Sequence, residues 1–166
     1  MDKQRFLSFD VDRGNQKITV RREFAADKNR VWQAWTTSEM LDKWWAPKPW
    51  VAVTQSMDFS EGGAWFYYMK GPDGERHYSR ADYDEIDTGN RYSGYDAFVD
   101  ADGNILEDMP RTFWLVGFEE SDGHTFVNIE LRFDKTEDLE KTLEMGFEEG
   151  FAMGMRNLDG VLADWR

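Results

Sequence analysis

Few side chains in this sequence could move a proton or hold a metal, and their spacing limits what they can do. There are two histidines, His77 and His124, and no cysteine. Without thiols, disulfides and thiolate metal sites are excluded, and two histidines in separate predicted strands do not make a zinc site. Enzymatic proton transfer needs a matched acid and base. His124 lies in the turn SDGHT, exposed, and His77 in the strand ERHYSRADYDEI. Strand parity puts Asp82 and Asp84 on the face opposite His77, while Glu85 shares its parity but lies too far along the strand for contact. His77 therefore reads as a polar point on an apolar wall, hydrogen-bonded to a tyrosine or to water. Tyr83 and Tyr95 could orient a ligand carbonyl or hydroxyl, or pack as ordinary sheet residues. In DADGNILED, Asp100, Asp102 and Asn104 alternate as in a calcium loop, but Gly103 stands fourth where an EF-hand needs glycine sixth, so a turn is expected. Neither GxGxxG nor GxxxxGK[ST] occurs, so no nucleotide cofactor is expected. The expected inventory is no metal, no cofactor and no assigned catalytic residue.

What positions His77 is a hairpin with two candidate registers. A two-residue loop would put Arg76 beside Met69, which is less consistent with the apolar face than a three-residue loop with a bulge. In GPDG, residues 71 to 74, Pro72 suits the first central position of a type I turn and Gly74 the left-handed residue after it. That geometry pairs Gly71 with Glu75, Met69 with His77, Tyr67 with Ser79 and Trp65 with Ala81, and sets Gly63 opposite Tyr83. Trp65, Tyr67, Met69, His77 and Tyr83 then share one face. Lys70, Arg76, Arg80, Asp82 and Asp84 take the other and face water.

Two further stretches carry unusual surface. EMLDKWWAPKPW, residues 39 to 50, places Trp44 and Trp45 side by side at the end of a short helix that Pro47 and Pro49 terminate. These rings either cap the core or close one end of a cavity, one turned inward and one bracing the rim. Near the C-terminus, Gly146, Gly150 and Gly154 recur within the apolar stripe of a helix, each costing about 1 kcal/mol against alanine. They allow either close packing or empty space for a ligand beside Phe147 and Phe151. On a continuous helical wheel Met145 falls off the stripe, so Met153 and Met155 are the methionines expected to border such a space.

The elements that must hold these residues follow from periodicity. FLSFDV and KITVRREF flank DRGNQ as a first hairpin. Helices follow over AADKNRVWQAWTT and SEMLDKWW, with Asp27 and Ser38 as caps. Six strands come next: WVAVTQSMDF, GAWFYYMK, ERHYSRADYDEI, RYSGYDAFV, TFWLVGFEE and HTFVNIELRF. From Thr136 to Trp165 the spacing of Leu139, Leu143, Phe147, Phe151, Leu158 and Leu162 predicts a single helix of about eight turns. Strands and helices segregate, which indicates an α+β fold. No linker or repeat interrupts the 166 residues, so one domain is expected. The net charge of −13 disfavours binding to nucleic acid or anionic membrane. The N-terminus MDKQRFLSFD has no apolar run suited to a signal peptide or membrane span, which gives a cytoplasmic expectation.

The stretches ITVRREFAADKNRVWQAWTTSEMLDKWWAPK, MDFSEGGAWFYYMKGPDG, ADYDEI and EMGFEEGFAMGMRNLDGVL resemble, in order, the activator of heat-shock-protein-90 ATPase homologue-like family of the START-like (SRPBCC, helix-grip) superfamily. The resemblance implies a curved antiparallel sheet, in the order β-α-α-β6-α, wrapped around a long C-terminal helix with an internal cavity. It implies a core over 17–163, with 1–16 as an added hairpin arm. It places Trp44 and Trp45 near the cavity mouth and Trp65, Tyr67, Met69, Phe147 and Phe151 in its wall. His77, Tyr83, Trp114, Gly150 and Gly154 complete the candidate ligand-binding set. The eukaryotic chaperone activator carries a separate N-terminal module that supplies most of its chaperone binding, and this chain has no room for it. Chaperone activation is therefore not expected to transfer.

The leading expectation is a noncatalytic protein that binds a small apolar or amphipathic molecule between sheet and helix. The alternatives are a polyketide-cyclase-type enzyme and a protein-interaction or chaperone-cofactor module. Expected partners are the small hydrophobic molecule and, for the interaction reading, a second copy in a homodimer, with no nucleic acid and no membrane.

Overall fold

In the computed structural model, which describes residues 6–165, eight strands form one antiparallel sheet against which four helices pack. β1 (Ser8–Asp12) and β2 (Lys17–Phe24) form the first hairpin. α1 (Lys28–Thr36) and α2 (Ser38–Trp44) follow. Then come β3 (Val51–Met57), β4 (Ala64–Lys70), β5 (Arg76–Asp87), β6 (Arg91–Val99), β7 (Arg111–Ser121) and β8 (His124–Arg132). The chain ends in α3 (Thr136–Glu144) and α4 (Phe147–Asp164). Across the sheet the order is β1-β2-β8-β7-β6-β5-β4-β3, so β2 crosses to pair with the last strand and the remaining six form a meander. Met1 to Arg5 of the expected arm lie outside the described residues.

Alternation produces the layers. In β2 and β8 every second residue is buried, and Ile18, Val20, Phe24, Val127, Ile129 and Leu131 are these two strands' share of the core, joined by Trp65, Tyr67, Tyr83, Val116 and Phe118 from β4, β5 and β7. α1 contributes Val31 and Trp35, α2 contributes Leu41 and Trp44, and α4 contributes Ala152, Met155 and Leu158. The arm is more than an extension: Phe6 stacks near Phe151 with ring centroids 6.1 Å apart, and Phe9 lies 6.2 Å from Phe147.

Two local expectations need correction, and a third is met through the backbone. The single terminal helix is two, because Gly146 adopts φ 84° and so cannot continue α3; its amide donates to Leu143 O and α4 restarts at Phe147. α2 begins at Ser38 itself, with Thr37 as its N-cap, and the Thr37 hydroxyl donates back to Gln33 O rather than capping forward. Asp27 is the N-cap of α1, but its carbonyl rather than its side chain receives the Val31 amide.

The GPDG hairpin has the register of the three-residue loop. Met69 faces His77, Tyr67 faces Ser79, and Trp65 faces Ala81, with Gly74 at φ 87°. The next hairpin does not count so simply. β5 carries a bulge between Tyr83 and Ile86, which re-aims its far end. Gly94 of β6 sits opposite that distortion, where a Cβ would lie 2.5 Å from Asp82 O. The bulge turns Glu85 outward, correcting its inward parity, and brings Ile86 to the inner side.

Candidate functional site

A pocket of about 360 Å³ opens between the inner face of β4–β8 and the start of α4. The break after α2 forms one side, through Trp45, Pro47 and Trp50. The sheet supplies Tyr67, Met69, Ser79, Asp96, Phe98, Thr112 and Trp114, with His77 at the mouth. Phe147, Gly150 and Phe151 form the helical wall. Behind it lies an inner space of about 40 Å³, bordered by Trp65, Tyr83, Tyr92 and Gly94 and sharing Trp45, Tyr67, Asp96 and Trp114 with the outer pocket.

The two tryptophans of the broken helix have different tasks. Trp44 is buried, 4.8 Å from the Trp35 ring, and its indole N–H donates to Ala34 O at 2.9 Å. It fixes α2 on α1 and lies outside the pocket wall. Trp45 turns into the pocket and donates to the Tyr67 hydroxyl at 2.9 Å. Its ring meets Trp65, Trp114 and Phe151 at centroid separations of 5.7, 5.9 and 6.2 Å. Trp65 stacks on Tyr67 at 3.9 Å, and its N–H donates to the Thr54 hydroxyl, which donates to Asp42. A chain of hydrogen bonds thus ties the wall to α2.

The glycines divide in the same way. A Cβ on Gly154 would come within 3.3 Å of Trp44 O and 3.4 Å of Trp45 O, so Gly154 serves close packing of α4 on the end of α2 and does not border the pocket. Asn157 donates to Ala46 O from the same face. Gly150 does border the pocket, and a Cβ there would make an ordinary contact with Pro47 at 3.8 Å. The methionine expectation reverses: Met155 is fully buried in the core, Met153 is not among the lining residues, and Met145 borders the pocket. A helical wheel run through Gly146 carries the wrong phase, since α3 and α4 are not one helix.

His77 is exposed, its ring set edge-on against Trp50 at 5.2 Å, so it marks the rim rather than the interior. Tyr95 stands on the outer face against Phe113, half exposed. Tyr83 is buried against Phe59 and borders only the inner space. His124 pairs with Glu23 at the surface. The Asp100 carboxylate accepts the amides of Asp102 and Asn104, which is a turn held by its own side chain. Among the described residues no three carboxylate or imidazole groups gather into a metal site.

The polar group at the pocket's centre is Asp96. It pairs with Ala81 on one side and Thr112 on the other, placing its carboxyl on the face that carries Trp65 and Trp114. Desolvation pushes that carboxyl up from its ordinary 3.8 to about 7. The Trp114 N–H and the Ala97 amide favour the charged form but do not offset the burial. No bond of normal geometry satisfies the Trp114 N–H, so its help is electrostatic rather than a full hydrogen bond. Burial also raises the Tyr67 and Tyr83 phenols, with Asp96 adding to both, so each keeps its proton. An ionised acid beside protonated phenols and aromatic faces can accept hydrogen bonds or a cation; a neutral one can donate to a carbonyl.

Sequence parity could have shown Asp96, because Tyr92, Gly94, Asp96 and Phe98 alternate with Ser93, Tyr95 and Ala97. The clue was the inward Tyr92. Plain counting from the DTGN turn, without the bulge, instead sets Asp96 opposite the outward Asp82.

Similar architecture occurs in proteins of several bacteria. A crystal structure of a protein from Mycobacterium smegmatis is 29% identical, with a TM-score of 0.88 over 97% of this chain and 99% of that one. A solution structure from Arthrobacter aurescens is 31% identical, with a TM-score of 0.90 over 96% and 92%. One from Staphylococcus epidermidis is 25% identical, with a TM-score of 0.83 over 95% and 94%. No curated protein matches the chain. The profile described as Activator of Hsp90 ATPase homolog 1-like protein matches residues 25–163. With that match over most of its length, the chain belongs to the Activator of Hsp90 ATPase homolog 1-like family of the SRPBCC/START-like superfamily.

Proposed function

We propose that this protein binds a small amphipathic molecule in the pocket between β4–β8 and α4. The observation that carries the reading is a space of about 360 Å³ walled by aromatic rings, with a carboxyl group, that of Asp96, in its depth. Pockets of that size and character suit drug-sized ligands: apolar walls supply affinity and a small number of polar groups fix orientation. Trp45, Trp114, Phe147 and Phe151 would hold the apolar body, and Asp96 with the Tyr67 hydroxyl the polar end. The family supports small-molecule binding in general terms and leaves the ligand open.

The test is native mass spectrometry of protein purified from its own cells, together with Gly150→Phe. The added ring is accommodated by the backbone but occupies the pocket mouth beside Pro47. The expected result is a co-purified small molecule on the wild type and none on the variant, with unchanged circular dichroism. Equal occupancy of the folded variant would place binding elsewhere.

A second reading, catalysis of cyclase type, draws on the position of the Asp96 carboxyl near neutrality, where general acid–base groups work best. It predicts that the bound molecule is recovered chemically changed; a carrier returns it intact.

A further inference from the structure

We propose that the pocket's ligand is a lipophilic amine, its ammonium group seated on Asp96 and its apolar body among the surrounding rings. The proposal rests on the binding reading above and adds to it the chemical class of the molecule.

The argument begins with a missing counter-charge. Among the described residues, Asp96 is the one carboxylate lining the pocket, and no lysine or arginine lines it with Asp96. A carboxylate withdrawn from water is normally paired with a cation or well hydrogen-bonded. Here the protein supplies a backbone amide and an indole N–H of imperfect geometry. A bound ammonium group would supply the missing charge. The neighbouring rings favour the same occupant: Trp45 and Trp114, with centroids 5.9 Å apart and planes inclined by 49°, flank the space beside Asp96, and cations are attracted to such faces. The net charge of −13 also raises the local concentration of cations and repels anions of the same skeleton. A lipophilic carboxylate would meet both penalties; an alcohol would meet neither and gain no ion pair.

Titration calorimetry with 4-phenylbutylamine, 4-phenylbutanol and 4-phenylbutanoate tests this, because only the polar end differs. At pH 8 the amine should bind wild-type protein about ten-fold or more tighter than the alcohol, with the acid weakest. In Asp96→Asn the preference for the amine should fall to about two-fold or less. At pH 6 the amine must ionise Asp96, so its binding should release close to one proton, read as a difference in heat between buffers of unequal ionisation enthalpy. Tyr67 and Tyr83 stay protonated there, and no titratable side chain of α4 lines the pocket. Tyr92, which borders the inner space with Asp96, is likewise held protonated by burial, and among the described residues His77 stands at the mouth. Proton release should therefore vanish in Asp96→Asn, and release that persists would overturn the role of Asp96. Equal affinity for amine and alcohol, or preference for the acid, would overturn the amine while leaving the pocket as a binding site. Failure of all three probes to bind would overturn both. If Asp96→Asn fails to fold, the wild-type ranking of the three probes still decides.

Discussion

At position 96 protonation and folding are coupled, because the rings around the carboxyl exclude the water that would solvate its charge. The unfolded chain loses this proton near the ordinary value of 3.8, and the folded chain near 7. Below both values the group is neutral in either state and contributes nothing. Between about pH 4 and 7 the unfolded state ionises first, so stability falls as pH rises, and it levels off above the folded value. At about 1.4 kcal/mol per pKa unit the ceiling is about 4 kcal/mol, and partial solvation of the carboxyl brings the expectation to about 2–3 kcal/mol. Asp96→Asn, which removes the charge and keeps the shape, should therefore be more stable than the wild type by that amount at pH 8. The advantage should shrink towards zero at pH 4. Urea unfolding at both pH values measures it, and parallel pH profiles for the two proteins would mean that the carboxylate is not desolvated. A stability cost retained inside a pocket is expected where a charge serves binding.

The elements were legible wherever a local rule governed them. GPDG indicates the pairing of Met69 with His77 because Pro72 and Gly74 suit a three-residue loop and the shifted register would set Arg76 on the apolar face, and the wall made by Trp65, Tyr67 and Met69 follows. Asp96 was hidden because the register of β6 depends on a bulge in β5 that forms through packing, including the approach of Gly94 to Asp82 O, and not through a turn signature. The glycines of the last helix were ambiguous for a related reason. Three residues with identical side chains have three tasks: Gly146 breaks the helix, Gly150 leaves room at the pocket, and Gly154 admits the carbonyls of Trp44 and Trp45. Surroundings, not spacing, separate them, which yields a paired prediction. Gly160 is exposed in α4 with nothing near its Cβ position, so Gly160→Ala should stabilise by about 0.5–1 kcal/mol through helix propensity alone. Gly154→Leu should destabilise by about 1–3 kcal/mol, because the side chain must push α4 away from the end of α2. Thermal unfolding of both variants separates packing glycine from free glycine, and a neutral Gly154→Leu would show that the contact is slack.

For the whole molecule, the pocket requires sheet and terminal helix to be joined firmly at one end while they stand apart at the other. Phe147, Gly150 and Phe151 border the space at the start of α4; towards its end Leu158 and Leu162 are buried, and a polar clamp joins them there. Arg22 of β2, with 2% of its side chain exposed, makes a bidentate pair with Asp159 at 2.6 and 2.9 Å and donates to Glu23 O at 2.7 Å. Its guanidinium also lies 4.8 Å from the Phe24 ring centroid. Such a pair fixes where the helix sits along the sheet, since two parallel hydrogen bonds tolerate little sliding. Removing the acid leaves the guanidinium buried beneath α4. A fully buried pair broken in this way costs about 3–5 kcal/mol; because the Asp159 side chain is 35% exposed, water can replace part of its contribution, and Asp159→Ala should cost about 2–3 kcal/mol. Chemical denaturation gives that figure. The accompanying measurement is affinity for 4-phenylbutylamine at a temperature where the variant remains folded. If the clamp anchors α4 relative to the sheet, affinity should fall along with stability although Asp159 lies outside the pocket lining. Unchanged affinity in a destabilised variant would mean that the contacts of Gly154 and Asn157 with the end of α2 hold the pocket open without help from the far end.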